Sequence, residues 1–251
     1  MEISFYETNK AVSEYLLFHY GKREDLLLSG IGPEEALDFP RRCGDLHLGF
    51  DLKRNRALDL GCAVGGAAFA MSRSFDEVLG LDFSHALIES ARGMASESEI
   101  AIPIAIEGEL TRDISVSLKP ADQPSRVSFA QGDAMNLDPA LGRFDFVLMA
   151  NLIDRLPDPA LCLSRIHEFV SPHGLLAITS PYTWLEEYTP KAKWLGGYEI
   201  DGKPVRTYDR LIDLLGERFE LMDTRNEPFL IREHERKNQY SIAQATLWRK
   251  R

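Results

Sequence analysis

The sequence predicts an α/β protein with a doubly wound, mostly parallel sheet of seven strands. Three observations support this fold class. Short apolar segments alternate with segments of helical periodicity. That order favours parallel strands joined by crossover helices. Polar residues also follow several of the strands, where ligands bind in such sheets. The 251 residues, 44% of them hydrophobic, suffice for a single domain over 1–251.

The N-terminal region, residues 1–55, is predicted to form a helical cap on this sheet. Apolar and aromatic residues recur at helical spacing over residues 8–20, which predicts a helix there. Residues 21–55 contain several helix breakers and are predicted to be helical or irregular. These breakers are Gly30, Gly32, Pro33 and Pro40.

The alternating part of the chain begins at residue 56. Strands are predicted over 56–60, 77–82, 126–131, 144–149 and 174–180. Helices are predicted over 65–74, 84–95 and 158–170. The remaining pattern predicts a helix near 207–216 and two last strands near 219–225 and 242–248.

Two segments interrupt this alternation. Residues 96–125 carry apolar residues at every second position on both sides of a turn at Gly108, which predicts an inserted β-hairpin. We interpret the hairpin as a lid, a dimer contact or a surface decoration. Residues 181–206 form a long loop rich in aromatic residues. Loops of this length are usually functional or disordered, and the aromatic content favours an ordered, substrate-contacting loop.

Composition excludes several classes of function. The net charge of −10 argues against a nucleic-acid-binding protein, because that affinity comes from clustered Lys and Arg. No apolar run approaches the roughly 18 residues of a membrane span. The chain has 3 cysteines, widely separated, which predicts neither a disulfide framework nor a metal site. We therefore expect a cytoplasmic protein that acts on a small molecule.

A glycine-rich turn is the most informative motif. The strand ending in Leu58-Asp59-Leu60 runs into the turn Gly61–Gly66, and Asp82 closes the next strand. A dinucleotide site requires G-x-G-x-x-G, whereas this turn reads G-x-A-x-G-G and suits a pyrophosphate poorly. Glycines allow close approach to a nucleoside, and an acid at the second strand end suits ribose hydroxyls. Ala63 replaces the middle glycine, and we expect its φ to stay negative.

The D-L-G-x-x-x-G form resembles the first motif of class I S-adenosylmethionine (SAM) methyltransferases, which have a Rossmann-like fold. The resemblance implies that Gly61 to Gly65 face the methionine part and the ribose, and that Asp82 binds the ribose hydroxyls. It also implies that Asp133 binds the adenine amino group. The full cofactor set that it implies is Asp59, Gly61, Cys62, Ala63, Gly65, Asp82, Phe83, Asp133, Ala134 and Ala150.

Each part of this site has a simpler interpretation. The glycine turn alone is compatible with tight packing. Asp82 alone is compatible with a helix N-cap, a role for which Ser84 competes. The glycine turn, Asp82 and Asp133 each lie at the end of a different predicted strand, and this repeated placement favours a cofactor site over three unrelated local roles.

Longer runs resemble a narrower family, the mercaptohistidine (5-thiohistidine) π-N-methyltransferases of ovothiol biosynthesis. The runs are Tyr6–Thr8 with Tyr15–Gly21, Leu37–Cys43, Ala150–Leu156, Thr179–Glu187 with Trp194–Gly197, Pro228–Glu233 and Ala245–Trp248. That enzyme commonly follows an iron-dependent sulfoxide synthase in one fused chain. The resemblance therefore implies 5-thiohistidine as the substrate and a separate sulfoxide synthase as a partner.

Candidate residues for the acceptor side lie after the fourth and fifth strands. Asn151 and Asp154 are predicted to hold the imidazole edge or the amino-acid ammonium, or Asp154 is a surface helix residue. Arg155 is predicted to clamp the substrate carboxylate, or it pairs with a neighbouring aspartate. Tyr182 and Trp184 are predicted to stack on the imidazole, or they pack in the core.

The N-terminal helix offers further candidates. His19 and Tyr20 are predicted to close over the site as a base or a hydrogen-bond donor, although a histidine at core spacing is more often a packing residue. Tyr15 and Tyr6 are predicted to contact the substrate, and Asn151, Asp154 and His19 are the predicted catalytic residues. The rival hypotheses are methylation of another imidazole or amine, a non-catalytic SAM-binding partner of a synthase, and a nicotinamide oxidoreductase.

Overall fold

The computed structural model describes residues 5–251, so the first four residues of the predicted cap lie outside the described range. The helices are α1 Asn9–Tyr20, α2 Arg23–Leu26, α3 Phe39–Gly44, α4 Gly66–Met71, α5 His85–Glu97, α6 Pro159–Ile166 and α7 Thr207–Leu215. The strands are β1 Arg56–Leu60, β2 Glu77–Asp82, β3 Glu99–Glu107, β4 Leu110–Ser117, β5 Val127–Gln131, β6 Phe144–Ala150, β7 Val170–Ser180, β8 Tyr198–Ile200, β9 Lys203–Val205, β10 Phe219–His234 and β11 Lys237–Lys250.

The central sheet confirms the predicted fold class. Its seven strands have the order β10-β11-β7-β6-β1-β2-β5. Strand β1 pairs in parallel with β2 and with β6, whereas β11 is antiparallel to both of its neighbours. Strand order reverses between β1 and β6. In open α/β sheets a ligand crevice forms at such a switch point, outside the carboxyl ends of the strands.

Two cores flank the sheet. One packs the cap, α4, α5 and the β3–β4 hairpin against the sheet, with Phe69 and Phe146 among its fully buried side chains. The other contains α6, α7 and Trp248. Within the described chain, no helix is both long and apolar enough to cross a membrane.

The cap is tied to the rest of the domain by specific polar contacts. The Thr8 hydroxyl accepts a hydrogen bond from Ala11 N at 3.2 Å and so begins α1. On α3, Arg41 forms a buried bidentate pair with Asp122 at 2.7 and 2.9 Å. The Arg41–Asp122 pair fixes the cap against the segment that follows the inserted hairpin, which is present as β3 and β4.

The last two strands are longer than predicted. Together β10 and β11 extend past the end of β7, where Ser180 pairs with Gln244. We call residues 226–243, which lie beyond that point, the arm. Its inner face packs Phe229 against Phe39, with ring centroids 4.9 Å apart. The prediction ended β10 too early because buried charged residues such as Glu227 interrupt the alternation of apolar and polar positions.

Three other boundaries differ from prediction. The loop over 181–206 contains a short hairpin, β8 and β9, whose strands are too short to show a period. Helix α4 ends at Met71, three residues earlier than predicted. Helix α6 ends at Ile166, and β7 already begins at Val170. Boundaries of this kind depend on tertiary contacts more than on local pattern.

Candidate active site

The glycine turn, residues 61–66, lies at the switch point of the sheet. Gly61 and Gly65 have φ of +79° and +89°, which favours glycine. A Cβ on Gly65 would also lie 2.5 Å from the ring of Phe129, and one on Gly61 would lie 2.9 Å from Leu152. Glycine is therefore needed at both positions for conformation and for packing.

Ala63 corrects one prediction. Its φ is +47°, in the left-handed region, so the expectation of a negative φ was wrong. The turn holds it there because Ala63 N donates a hydrogen bond to the Asp82 carboxylate at 2.9 Å. A left-handed conformation costs an alanine about 1–2 kcal/mol. Residues with such strain cluster at functional sites.

Asp82 holds the turn to the end of β2. One carboxylate oxygen accepts the hydrogen bond from Ala63 N and the other accepts one from Ser84 N at 2.9 Å. Burial raises the pKa of Asp82, and its hydrogen bonds from the backbone oppose that shift. The N-cap of α5 is Ser84, whose hydroxyl accepts a hydrogen bond from Leu87 N at 3.1 Å. Asp82 therefore does not cap α5, because Ser84 does so.

Asp59 is a buried carboxylate with an unused oxygen. It lies on β1 beneath the turn and is 1% exposed. Among the described residues, its Oδ2 has no hydrogen-bond partner. Burial, together with the charge of Asp82, raises the pKa of Asp59 to about 7, and a hydrogen bond from the Ala68 backbone opposes this. Such a group is complementary to a ligand that carries positive charge.

Helix α1 clamps the glycine turn from above. The Tyr20 hydroxyl donates a hydrogen bond to Val64 O at 2.5 Å. Gly66 N donates one to His19 Nδ1 at 3.0 Å. Burial lowers the pKa of His19 to about 3, which keeps the ring neutral and able to accept this bond. His19 and Tyr20 thus both contact the glycine turn, His19 as a hydrogen-bond acceptor and Tyr20 as a donor.

Three phenols and one guanidinium meet beside the turn. Tyr6 lies 6.0 Å from Tyr15 and 6.3 Å from Tyr188, measured between ring centroids. The Arg155 guanidinium lies over the Tyr188 ring at 4.8 Å and interacts electrostatically with Tyr6. We call these four residues the Tyr–Arg cluster. Burial raises the pKa of Tyr15 well above its usual value, with further contributions from Tyr6 and Asp82.

The cluster rests on a buried aspartate. Asp154 is 1% exposed and accepts hydrogen bonds from Ser180 Oγ and from Thr183 N, both at 3.1 Å. Its Oδ2 also lies 3.1 Å from Arg155 Nη1. Burial raises the pKa of Asp154, and the Arg155 charge opposes the shift. The carboxylate therefore orients Arg155 and the start of the 181–206 loop.

Strained residues follow β6 and β7. Asn151 has φ of +50° and Tyr182 has φ of +56°. The Thr179 hydroxyl donates a hydrogen bond to Asn151 Oδ1 at 3.0 Å, which orients the amide. The Tyr182 hydroxyl donates one to Gln244 Oε1 at 2.8 Å. Asn151 is therefore held at the crevice mouth, next to Ala150 at the end of β6.

Trp184 lies in the core rather than beside these residues. It is 9% exposed and its ring stacks on Trp194 at 6.5 Å. Its Nε1 donates a hydrogen bond to Thr207 Oγ1 at 3.0 Å. The side chain thus anchors the 181–206 loop to α7.

The remaining cofactor candidates line the other side of the crevice. Phe83 follows Asp82 and is 74% exposed, an unusual exposure for a phenylalanine. Asp133 is exposed at the end of β5 and accepts a hydrogen bond from Met135 N at 2.8 Å. Ala134 is partly buried beside it, whereas Cys62 is fully buried within the turn.

Tyr188, Ser180 and Thr179 were missed by sequence reasoning. Ser180 and Thr179 act through hydrogen bonds to Asp154 and Asn151 that no spacing predicts. Tyr188 lies in the aromatic-rich loop, and that composition was the only available signal.

A cavity of about 610 Å³ lies elsewhere, at the amino ends of β1 and β6. Its lining includes Arg56, Asp145 and Arg249. The glycine turn and the Tyr–Arg cluster are at the opposite edge of the sheet, so this cavity is separate from the crevice.

Comparison with known proteins agrees with the fold. Residues 33–218 match a family model described as a methyltransferase domain. A ubiquinone biosynthesis O-methyltransferase of Alkalilimnicola ehrlichii is 31% identical over 139 residues, which cover 55% of this chain and 44% of that protein. Phosphoethanolamine N-methyltransferase 1 of Triticum aestivum is 26% identical over 186 residues, covering 72% of this chain and 32% of that protein. The chain spans less than half the length of these relatives.

Among solved structures, the N-methyltransferase NodS of Bradyrhizobium japonicum, in complex with S-adenosylhomocysteine, is similar over 97% of this chain and 98% of its own. The TM-score is 0.54 and the sequence identity is 12%, so the similarity concerns the fold. A SAM-dependent methyltransferase of Methanosarcina mazei gives a TM-score of 0.53 at 18% identity, covering 82% of this chain and 96% of that one.

Proposed function

The chain belongs to the family of SAM-dependent methyltransferase domains, and from this premise we propose that it transfers the methyl group of SAM to the π nitrogen of 5-thiohistidine. One observation carries the proposal. The Tyr15 ring lies 6.0 Å from Tyr6 of the Tyr–Arg cluster and 6.0 Å from His19, whose Nδ1 accepts a hydrogen bond from Gly66 N, so the cluster and the glycine turn are adjacent. A methyl donor on the turn and an amino acid at the cluster would therefore be neighbours.

The residues of the turn fit SAM. Its sulfonium and ammonium groups are cationic, and the unused oxygen of Asp59 is a buried acceptor of the opposite charge. Gly61 and Gly65 allow the turn its left-handed conformation, and Asp82 and Asp133 lie at the ends of neighbouring strands on the same edge of the sheet. Bound SAM would supply an activated methyl group, which leaves placement of the acceptor as the main task of the protein.

The Tyr–Arg cluster fits an amino acid with an aromatic ring. Arg155 is anchored through Nη1, which leaves further donors of its fork for a substrate carboxylate. Asn151 Oδ1 is bound by Thr179, so its amide N–H groups are turned outward for a ring nitrogen or sulfur. Tyr6, Tyr15 and Tyr188 provide aromatic walls.

The protonation states of the cluster favour methylation on nitrogen. Burial raises the pKa of Tyr15 and of Tyr188, so both phenols stay protonated and act as donors. A thiolate is the stronger nucleophile in solution, and donated hydrogen bonds would reduce its reactivity while leaving the ring nitrogen free. The π nitrogen then forms a bond to the methyl carbon as the carbon–sulfur bond of the donor breaks. The ring gains one positive charge on methylation. It becomes neutral again when the other ring nitrogen loses its proton.

The direct test is product formation. Purified protein is incubated with SAM and 5-thiohistidine, and the product is analysed by mass spectrometry and NMR. We expect a single added methyl group on the π nitrogen, with S-adenosylhomocysteine formed in equal amount. Methylation on sulfur, or no methylated product while SAM still binds in calorimetry, would refute the proposal. The second result would favour a non-catalytic SAM-binding partner of a sulfoxide synthase.

Histidine is the alternative acceptor, because a carboxylate clamp and aromatic walls suit any imidazole amino acid. Comparing kcat/KM for histidine and 5-thiohistidine separates the two. A strong preference for 5-thiohistidine supports the proposal, whereas equal values would indicate a broader imidazole or amine methyltransferase. In the proposed pathway a sulfoxide synthase would supply the sulfur-bearing precursor.

A further inference from the structure

Arg232 is a buried arginine without a partner. It lies on β10 within the arm and is 4% exposed. In residues 5–251, no acceptor receives a hydrogen bond from its guanidinium and no carboxylate forms an ion pair with it. Its nitrogens keep slight contact with solvent, because the fully buried polar atoms without a partner among the described residues are His47 Nε2 and Asp59 Oδ2. An arginine that is 4% exposed usually has a protein partner, because restricting the hydration of an unpaired charge is costly.

The groups around Arg232 do not supply the missing partner. Arg112, on the inserted hairpin, is a like charge close enough to interact, and burial together with Arg112 lowers the pKa of Arg232. Asp25 is already paired with Arg112 at 3.1 Å. Glu235 attracts Arg232 at longer range without forming an ion pair.

The site joins two β-ribbons. Glu235 N, near the tip of the arm, lies 3.4 Å from Ile106 O at the end of β3. Across the hairpin, Arg112 pairs with Ile104 in register, and within the arm Arg232 pairs with Asn238. The arm and the inserted hairpin therefore meet at this point, with a cation contributed from each side.

We propose that Arg232 and Arg112 bind a small oxyanion, a carboxylate or a phosphate, between the arm and the inserted hairpin. The fork of the Arg232 guanidinium matches two oxygens of either group. Arg112 is 48% exposed through its side chain and uses Nη2 to pair with Asp25, so its other donors can contact the same anion from the hairpin. This site shares no residue with the Tyr–Arg cluster, and the proposal is independent of the acceptor proposed above.

Thermal unfolding of the full chain tests the proposal. Melting is followed in chloride and in inorganic phosphate or acetate at matched ionic strength. We expect a saturable rise in Tm with phosphate or acetate, of roughly 5–10 °C at a hundredfold excess over Kd. The anion that raises Tm at the lower concentration identifies the ligand class, phosphate or carboxylate. No rise beyond that in chloride would overturn the proposal.

Substitutions assign the effect to this site. Arg232→Met keeps the aliphatic bulk, removes the unpaired charge and should abolish the anion-dependent rise, while in chloride its Tm should equal or exceed that of the wild type. Arg236→Gln removes the same charge from an exposed position of the arm and should keep the full rise. A rise that survives in Arg232→Met, or is lost in Arg236→Gln, would indicate general screening by the anion and would contradict the site.

Glu235→Gln distinguishes an anion site from an internal ion pair. If an anion binds beside Arg232, removal of the nearby carboxylate should lower its Kd by a few-fold, because like charges repel. If Glu235 instead pairs with Arg232 in solution, Glu235→Gln will lower Tm in chloride and leave anion binding no tighter. The second outcome would overturn the proposal.

Discussion

The donor half of the crevice and its acceptor half are built differently. The donor half uses Asp59, the glycine turn and Asp82, which lie close together in the sequence and act largely through the backbone. The proposed acceptor half is the Tyr–Arg cluster, whose side chains come from three distant segments of the chain: the N-terminal cap, the segment after β6 and the 181–206 loop. The position of the turn is thus set by sheet topology, whereas the position of the cluster depends on how the cap and the loops pack; in the proposed function the first binds the cofactor and the second selects the acceptor.

The strongest test of the donor half is Gly65→Ala. A methyl group there would meet Phe129 at 2.5 Å in addition to a φ of +89°. We expect a loss of about 3 kcal/mol in the free energy of unfolding, from strain and overpacking together. Chemical denaturation measures the loss, and SAM affinity should fall with it.

Gly49→Ala is the matched control, because Gly49 has a φ of +88° with nothing within 4 Å of the added carbon. It should lose only the conformational part, about 1 kcal/mol. Equal losses in the two variants would mean that packing against Phe129 does not constrain the turn.

The acceptor half is tested by Arg155→Gln. Loss of a charge-assisted contact with the substrate carboxylate should lower kcat/KM for 5-thiohistidine roughly 10- to 100-fold, since such contacts contribute about 1.5–3 kcal/mol. SAM affinity by calorimetry should be unchanged. Arg143→Gln, exposed at the opposite edge of the sheet, should retain full activity. A parallel loss of SAM binding in Arg155→Gln would break the division into two halves.

The pH dependence of SAM affinity follows from Asp59. Its pKa is about 7 in the folded protein, and a cationic ligand prefers the ionised carboxylate. Affinity should therefore increase about tenfold from pH 6 to pH 8 and level off above that range. Calorimetry across this range measures it. Asp59→Asn should bind SAM more weakly and with a flat profile, and a wild-type profile that is already flat would exclude Asp59 from the donor half.

Stability should change in the opposite direction. Because the folded pKa of Asp59 lies above its value in the unfolded chain, the folded state binds the extra proton. The contribution of Asp59 to stability without ligand is thus greatest at acidic pH and declines as pH rises toward 7. Denaturation of the Asp59→Asn variant should lack this decline.

The donor half could be predicted from sequence because strand ends fix its position. The apolar strands were visible, and the polar residues that follow them had to meet at one edge of the sheet. The acceptor half could not be predicted in the same way. The contact of Tyr6 with Tyr188 joins residues 182 positions apart through the cap and a loop. The left-handed Ala63 was mispredicted because its conformation is imposed by a hydrogen bond to Asp82 across two strands.

The smallest expected effect concerns the contact between the halves. Helix α1 carries Tyr15 toward the acceptor half and Tyr20 onto the donor turn, where its hydroxyl binds Val64 O. Tyr20→Phe removes that one hydrogen bond and keeps the ring packed against Phe69. A neutral hydrogen bond contributes about 1 kcal/mol, so SAM affinity should fall about fivefold while KM for the acceptor stays within twofold. Calorimetry and steady-state kinetics measure the two quantities. If KM for the acceptor changed as much as SAM affinity, α1 would couple the two halves as one rigid unit, and the donor turn could not be treated apart from the cap that covers it.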